Sequence, residues 1–301
     1  MARRPRISGY PDPRVQLTRA AADLRGRRWI VVGGTDGLGR AIARAAAARG
    51  AGVLVVGRTF RDEGAPGLTF TRADLASMAA ADALGASLPV EGVDVVVLTT
   101  GIFAPRERQL TPEGLEIDMA ISALSRAAIA RRLMPRLKAD GAARPRVFIM
   151  GFPGAGNLGD PDDLDGARSY GQTAQHMNTV ALNEALVVDL ARRWPGVGVY
   201  GLNPGLIPTN IRANVFGEGT WLQRAAERAL GWFNPTAEGY AEAILPTLTA
   251  PELDAHTGVH FNQRGAPILG SDGMDDARVA RFIAAADAAI RQALAPPPDA
   301  G

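Results

Sequence analysis

From residue 29 onward, short runs of β-branched and apolar residues alternate with longer alanine-rich stretches that carry polar residues at helical spacing. The short runs fall at 29–32, 53–56, 93–98, 147–150 and 197–202, and the longer stretches at 40–49, 75–84, 113–138 and 170–193. Within each short run the apolar residues are consecutive, the pattern of a strand buried on both faces. Such strands alternating with helices predict an α/β fold, a doubly wound parallel sheet in a single domain over 28–270. Gly-Val-His-Phe-Asn at 258–262 adds a last strand. The stretch 275–294 predicts an amphipathic terminal helix, and residues 271–301 join it to a Pro-rich tail. Residues 1–27, punctuated by Arg and Pro, predict an N-terminal arm with a short helix near 15–24. The segment 205–250 breaks the rhythm after the strand at 197–202, the sixth of such a sheet. It predicts a lid over the carboxyl ends of the strands, where doubly wound sheets bind ligands. Its aromatics, Trp221 among them, are candidates for an apolar substrate pocket, for contact with a membrane surface or for ordinary packing of the lid.

Composition narrows the class. The chain has 301 residues, 47% of them hydrophobic, enough for one large domain with a buried core. A net charge of +2 gives no global field that calls for nucleic acid. The absence of cysteine excludes disulfides and thiolate catalysis. No apolar run approaches the ~18 residues that span a bilayer. The basic N-terminus lacks the apolar stretch of a secretion signal, so the expectation is a cytoplasmic protein. His256 and His260 lie on a predicted strand, where positions four apart are ~13 Å apart, so no metal site is expected there.

The strand at 29–32 runs into Gly33-Gly34-Thr35-Asp36-Gly37-Leu38-Gly39 and then a helix. Glycines at this first strand-to-helix crossing let the backbone turn tightly and approach a pyrophosphate, whose charge meets the open N–H groups of the helix start. Gly33, Thr35, Asp36, Gly37, Leu38 and Gly39 are therefore candidate dinucleotide contacts. At the end of the second strand stand Gly57, Arg58 and Thr59. A carboxylate there would hold a ribose 2′-hydroxyl and repel a 2′-phosphate, whereas Arg58 can pair with the phosphate through its planar fork. NADP(H) is the expected cofactor and NAD(H) the alternative. Asp36 is a mild counter-signal.

In these motifs the chain resembles the short-chain dehydrogenase/reductase family, over roughly residues 28 to 265. The glycine spacing is that family's. Asp74-Leu75 resembles its adenine-contacting pair, and Leu98-Thr99-Thr100-Gly101 stands where the family has Asn-Asn-Ala-Gly. Pro204-Gly205-Leu206-Ile207-Pro208-Thr209 is similar to the segment that holds the nicotinamide carboxamide. The stretch from Ser169 through the following helix looks most like the retinol-dehydrogenase-like branch. The resemblance implies a Rossmann-type fold, a small-molecule carbonyl or alcohol substrate, and a homodimer paired through the helices at 113–138 and 170–193.

The family's chemistry uses a tyrosine that passes a proton, a lysine that lowers its pKa, a serine on the substrate oxygen and an asparagine in the proton relay. Tyr170 stands at the tyrosine position, beside the nicotinamide site that the resemblance implies. Ala174 replaces the lysine, Gly151 and Phe152 the serine pair, and Ser122 the asparagine. Gly151 and Phe152 thereby become candidates for the substrate pocket. The chain's single lysine, Lys138, ends the long helix at the far edge of the sheet. His176, six residues after Tyr170, is ~120° away from it on a helix and so points elsewhere. Asn178 lies nearer the tyrosine face and could grip a ribose hydroxyl. Arg126, Arg131, Arg132 and Arg136 read as a solvated or subunit-facing surface.

A free tyrosine ionises near pH 10, so roughly one in a thousand is phenolate at pH 7. Without lysine the phenol is a poor base but remains an acid. The expectation is an NADP(H)-dependent reductase of an aldehyde or ketone, with Tyr170 as proton donor and Ser122, Thr99 or Thr100 helping to hold the oxygen. A silent dinucleotide-binding scaffold and a non-redox enzyme on the same fold are the competing readings.

Overall fold

The computed structural model describes residues 9–20, 23–138, 144–205 and 236–296. Eight strands form one sheet in the order β3-β2-β1-β4-β5-β6-β7-β8. They are β1 (Arg28–Val32), β2 (Gly52–Gly57), β3 (Leu68–Arg72), β4 (Val95–Leu98), β5 (Arg146–Met150), β6 (Gly198–Leu202), β7 (Val259–Phe261) and β8 (Pro267–Ile268). β1 to β7 pair in parallel, and β8 runs antiparallel to β7. The strand order reverses direction between β1 and β4, which opens a crevice at their carboxyl ends.

Consecutive strand residues divide between two cores. Ile30 and Val32 face one, Trp29 and Val31 the other. This explains why the strands read as unbroken apolar runs. On the first face pack α2 (Met78–Ser87), α4 (Ser125–Leu133), α5 (Gln172–Arg193) and α7 (Asp276–Leu294). On the second pack α1 (Gly37–Ala47) and α6 (Ala237–Leu248). A short α3 (Ile117–Met119) enters α4 through a π-turn at Ala120–Leu124.

The structure adds β3 and corrects the arm, while most of the expected lid lies outside the described residues. β3 was hidden because Leu-Thr-Phe-Thr-Arg is an edge strand that alternates apolar with polar residues. Residues 15–20 form no helix. Instead Pro11 bridges to Ile268, while Val15 and Leu24 plug the second core. Of the segment 205–250, residues 206–235 lie outside the described residues, and α6 packs on α1 as part of the covering layer. Trp221, Ile207 and Thr209 therefore lie outside the described residues.

Candidate active site

The glycine loop is pressed against the end of β4. Gly33 has φ +85°, and a Cβ on it would meet Thr100 N at 2.5 Å and Thr99 Oγ1 at 2.7 Å. A Cβ on Gly39 would run into Thr99 Oγ1 and the Gly33 carbonyl. Only glycine fits at these two places, and the closeness brings β1, α1 and β4 to one point. Asp36 caps α1, accepting from Gly37 N at 2.9 Å, and pairs with Arg61 at 3.1 Å. Gly57 at the end of β2 is also forced, because a Cβ there would meet the Thr35 side chain at 2.6 Å. Arg58 and Thr59 follow, both exposed. Asp74 turns the chain after β3 by accepting from Ala76 N at 3.1 Å, and Leu75 is buried beneath it.

These residues fit a dinucleotide. The Thr100 Oγ1 atom is buried and has no hydrogen-bond partner among the described residues, and the Thr100 backbone packs against Gly33 of the glycine loop. Beyond β6, Gly205 takes φ +70° with its N–H on Asn203 Oδ1 at 2.9 Å, which turns Pro204-Gly205 over the sheet edge.

The reactive half is assembled from four elements. Helix α5 begins at Gln172 with Gly171 as its cap, so Tyr170 precedes the helix. The Tyr170 hydroxyl donates to the Pro105 carbonyl at 2.7 Å. Gln172 Nε2 donates to the Ala104 carbonyl at 2.8 Å, and the His176 ring lies against Phe103 with centroids 4.3 Å apart. Ser122 Oγ accepts from Ile102 N at 3.0 Å. Residues 102–105 thus form a strap held by α5 and the π-turn. Burial pushes the Tyr170 phenol up to about 12, Glu116 and Asp118 add to this, and Arg108 opposes it.

Ser122 Oγ also bonds Asp118, whose other oxygen contacts His176 Nδ1 at 2.8 Å. Beneath them Arg126 is buried. Its Nε donates to the Thr100 carbonyl at 3.1 Å and its Nη1 to Asn183 Oδ1 at 2.9 Å and to the Met150 carbonyl. One guanidinium therefore ties the ends of β4 and β5. Burial pulls it down to about 9, against the Asp118 charge, which leaves it a cation at neutral pH. Asn183 Nδ2 donates to the Ser122 carbonyl at 2.8 Å, which fixes the π-turn to α5.

No family model matches the chain. It is 44% identical over 273 residues to "Uncharacterized oxidoreductase YKL107W" of Saccharomyces cerevisiae, covering 88% of each chain. It is 31% identical over 288 residues to a Streptomyces sp. (strain C5) protein provisionally named daunorubicin C-13 ketoreductase DnrU, covering 89% of this chain and 93% of that one. A solved structure provisionally named an NAD(P)-dependent gluconate 5-dehydrogenase, from Beutenbergia cavernae with bound NADP, superposes with TM-score 0.60 at 25% identity, covering 81% of this chain and 97% of that one. The chain belongs to the short-chain dehydrogenase/reductase family. It is an NAD(P)-dependent oxidoreductase with a Rossmann-type fold.

Within that family its reactive edge is rearranged. Ala174 is exposed on the first turn of α5. The helical phase counted from Tyr170 fails because the helix starts two residues later. For the same reason the expectation that His176 points elsewhere is corrected: its ring joins Asp118 and Phe103 at the crevice. Asn178 is not near a ribose site; it is buried and holds the acidic loop, accepting from Asp160 N at 2.6 Å and donating to the Asp163 carbonyl at 3.0 Å. Arg126 is corrected from a surface residue to the buried tie. Arg131, Arg132 and Arg136 do face outward, to Asp287, Asp82 and the end of α2.

Gly151 is small for a local reason: a Cβ on it would press on Asn183 Cβ at 3.2 Å. Ser122 is too occupied by Asp118 and Ile102 to face a substrate. Sequence reasoning missed Asp118, Arg126 and Asn183. A signal was present in Asp118, Ser122 and Arg126, spaced four apart along the helical stretch that runs through the π-turn.

Proposed function

We propose that this oxidoreductase reduces an aldehyde or ketone with NADPH, and that Tyr170 gives the proton. The observation that carries the direction is the Tyr170 hydroxyl. It donates to a carbonyl, and no cation contacts it among the described residues. With the phenol pushed up to about 12, only roughly one in 10⁵ is ionised at pH 7. A neutral phenol can give a proton to a developing alkoxide, which is more basic than a phenolate. It cannot take one from an alcohol at a useful rate. The substrate oxygen would replace Pro105 as the acceptor. The name of the Streptomyces relative, a ketoreductase, supports the same direction.

NADPH is favoured by the charges around the start of α1. Arg40 and Arg44 share Asp62, and Arg61 neutralises Asp36. Arg58 is exposed and has no carboxylate partner among the described residues, so it can receive a 2′-phosphate. Gly57 leaves no side chain to repel that phosphate. When bound, the dinucleotide supplies the hydride. Thr99, Thr100 and the glycine loop hold and orient it, and Phe152, half-buried beyond β5, borders the substrate space.

The test is NADPH binding by fluorescence, then initial rates on an aldehyde and ketone panel and on the product alcohols. Reduction is expected to outrun oxidation at matched saturation near neutral pH, and Tyr170→Phe is expected to abolish both. Binding without turnover would instead support the scaffold reading.

A further inference from the structure

We propose that His176, held by Asp118, donates a hydrogen bond from Nε2 to the substrate's carbonyl oxygen and brings the positive charge that no lysine provides here. The proposal rests on the carbonyl-reductase reading above.

A carboxylate only accepts, so the 2.8 Å contact with Asp118 assigns the Nδ1 proton to His176 and leaves Nε2 on the opposite edge of the ring. The Asp118 side chain is 0% exposed and that of His176 21%, so the imidazole stands between a buried anion and an accessible space. Among the described residues Nε2 has no hydrogen-bond partner. Both partners are fixed in place. Ser122 Oγ bonds Asp118 while accepting from Ile102 N, and Phe103 lies against the ring at an interplanar angle of 35°. An aspartate that orients a histidine and stabilises its protonated form is an arrangement suited to proton and charge transfer.

The position also fits. His176 packs on Phe103 and the Tyr170 hydroxyl sits on Pro105, two residues along one strap. The charge of Asp118, which holds the imidazole, also acts on the Tyr170 phenol, so the two groups belong to the same half of the site. Other candidates for the oxygen are engaged or distant. Thr99 Oγ1 donates to the Val32 carbonyl at 2.9 Å, Ser122 faces Asp118, and Gly151 and Phe152 carry no hydroxyl. The Thr100 hydroxyl has no partner among the described residues, but it is buried on a residue whose backbone packs against Gly33, at the glycine loop.

In the step, a hydride forms the new C–H bond and the carbonyl π pair moves to oxygen. The Tyr170 O–H bond breaks to give that oxygen its proton, and water restores the phenol. The Nε2 proton stays on His176 and stabilises the charge as it develops. The charged group against the imidazole is Asp118, which also acts on Arg126 and on Tyr170, while Glu116 and Arg108 act on Tyr170. Because the charged imidazole is the active form, kcat/KM should fall as pH rises.

Two measurements test this. The first needs no turnover. The chain has three histidines, so the His176 ring resonance can be assigned by substitution and titrated by NMR. Saturating NADP⁺ should move the wild-type ring resonance, and Asp118→Asn, which frees the ring, should reduce that response. A ring resonance indifferent to bound NADP⁺ overturns the proposal. The second compares carbonyl reduction by wild type and His176→Gln. The variant should bind NADPH within about twofold of wild type, lose about 10²-fold in kcat/KM at neutral pH, and lose the alkaline fall. A variant that keeps the wild-type pH profile overturns the proposal alone. A wild type that binds NADPH and reduces nothing in the panel overturns the reductase reading instead.

Discussion

The two halves of the crevice are built on different principles. The dinucleotide half is a backbone device. Gly33, Gly39 and Gly57 sit where a single added carbon would strike Thr99, Thr100 or Thr35. Asp36 caps α1 and Arg58 follows β2, both within one βαβ unit. The reactive half is a side-chain device. Its groups come from the end of β4, the π-turn, the loop before α5 and α5 itself, and they are joined by hydrogen bonds rather than by sequence spacing. Backbone devices tolerate few residue types and stay recognisable. Side-chain devices can be rebuilt from other residues while the scaffold holds.

The sharpest way to break this contrast is to remove the tie under the reactive half. Arg126→Leu leaves the Thr100 and Met150 carbonyls and Asn183 Oδ1 without their donor. It is expected to cost about 2–4 kcal/mol in thermal or denaturant unfolding, and Arg126→Lys, with one donor group in place of a fork, should recover only part of that. Reduction should fall more than NADPH binding does, because the spacing of β4 and β5 sets the reactive edge. Equal losses in both would mean that the halves are one device.

A smaller effect is expected on the other side. Arg58→Ala should weaken NADPH by about tenfold and leave NADH unchanged, read by fluorescence titration. If both dinucleotides weaken alike, Arg58 stacks on the adenine rather than pairing with a 2′-phosphate.

The same contrast explains what could be read before the structure. The sheet, the glycine loop and the terminal helix were legible because each is a local pattern with one physical meaning. β3 was not, since an edge strand needs no continuous apolar run. The start of α5 was not, because Ser169-Tyr170-Gly171 continues the helical pattern while Gly171 takes an extended conformation and caps the helix. That two-residue difference misplaced His176, whose ring contacts Asp118 and Phe103. Arg126 looked like its exposed neighbours because burial is a property of the face it occupies, and the π-turn at Ala120–Leu124 shifts that face. Tyr170 was found by its motif, and its un-ionised state was argued from the missing lysine. The surroundings that support it are burial and the charges of Glu116 and Asp118.

The most direct measurement is the ionisation of Tyr170 itself, followed by tyrosinate absorbance as the difference between wild type and Tyr170→Phe. A phenol that stays protonated through neutral pH and titrates near 12 is the expected result, and it makes the site a proton donor. Tyrosinate appearing between about pH 7 and 8, the behaviour of a phenol beside a cation, would contradict it.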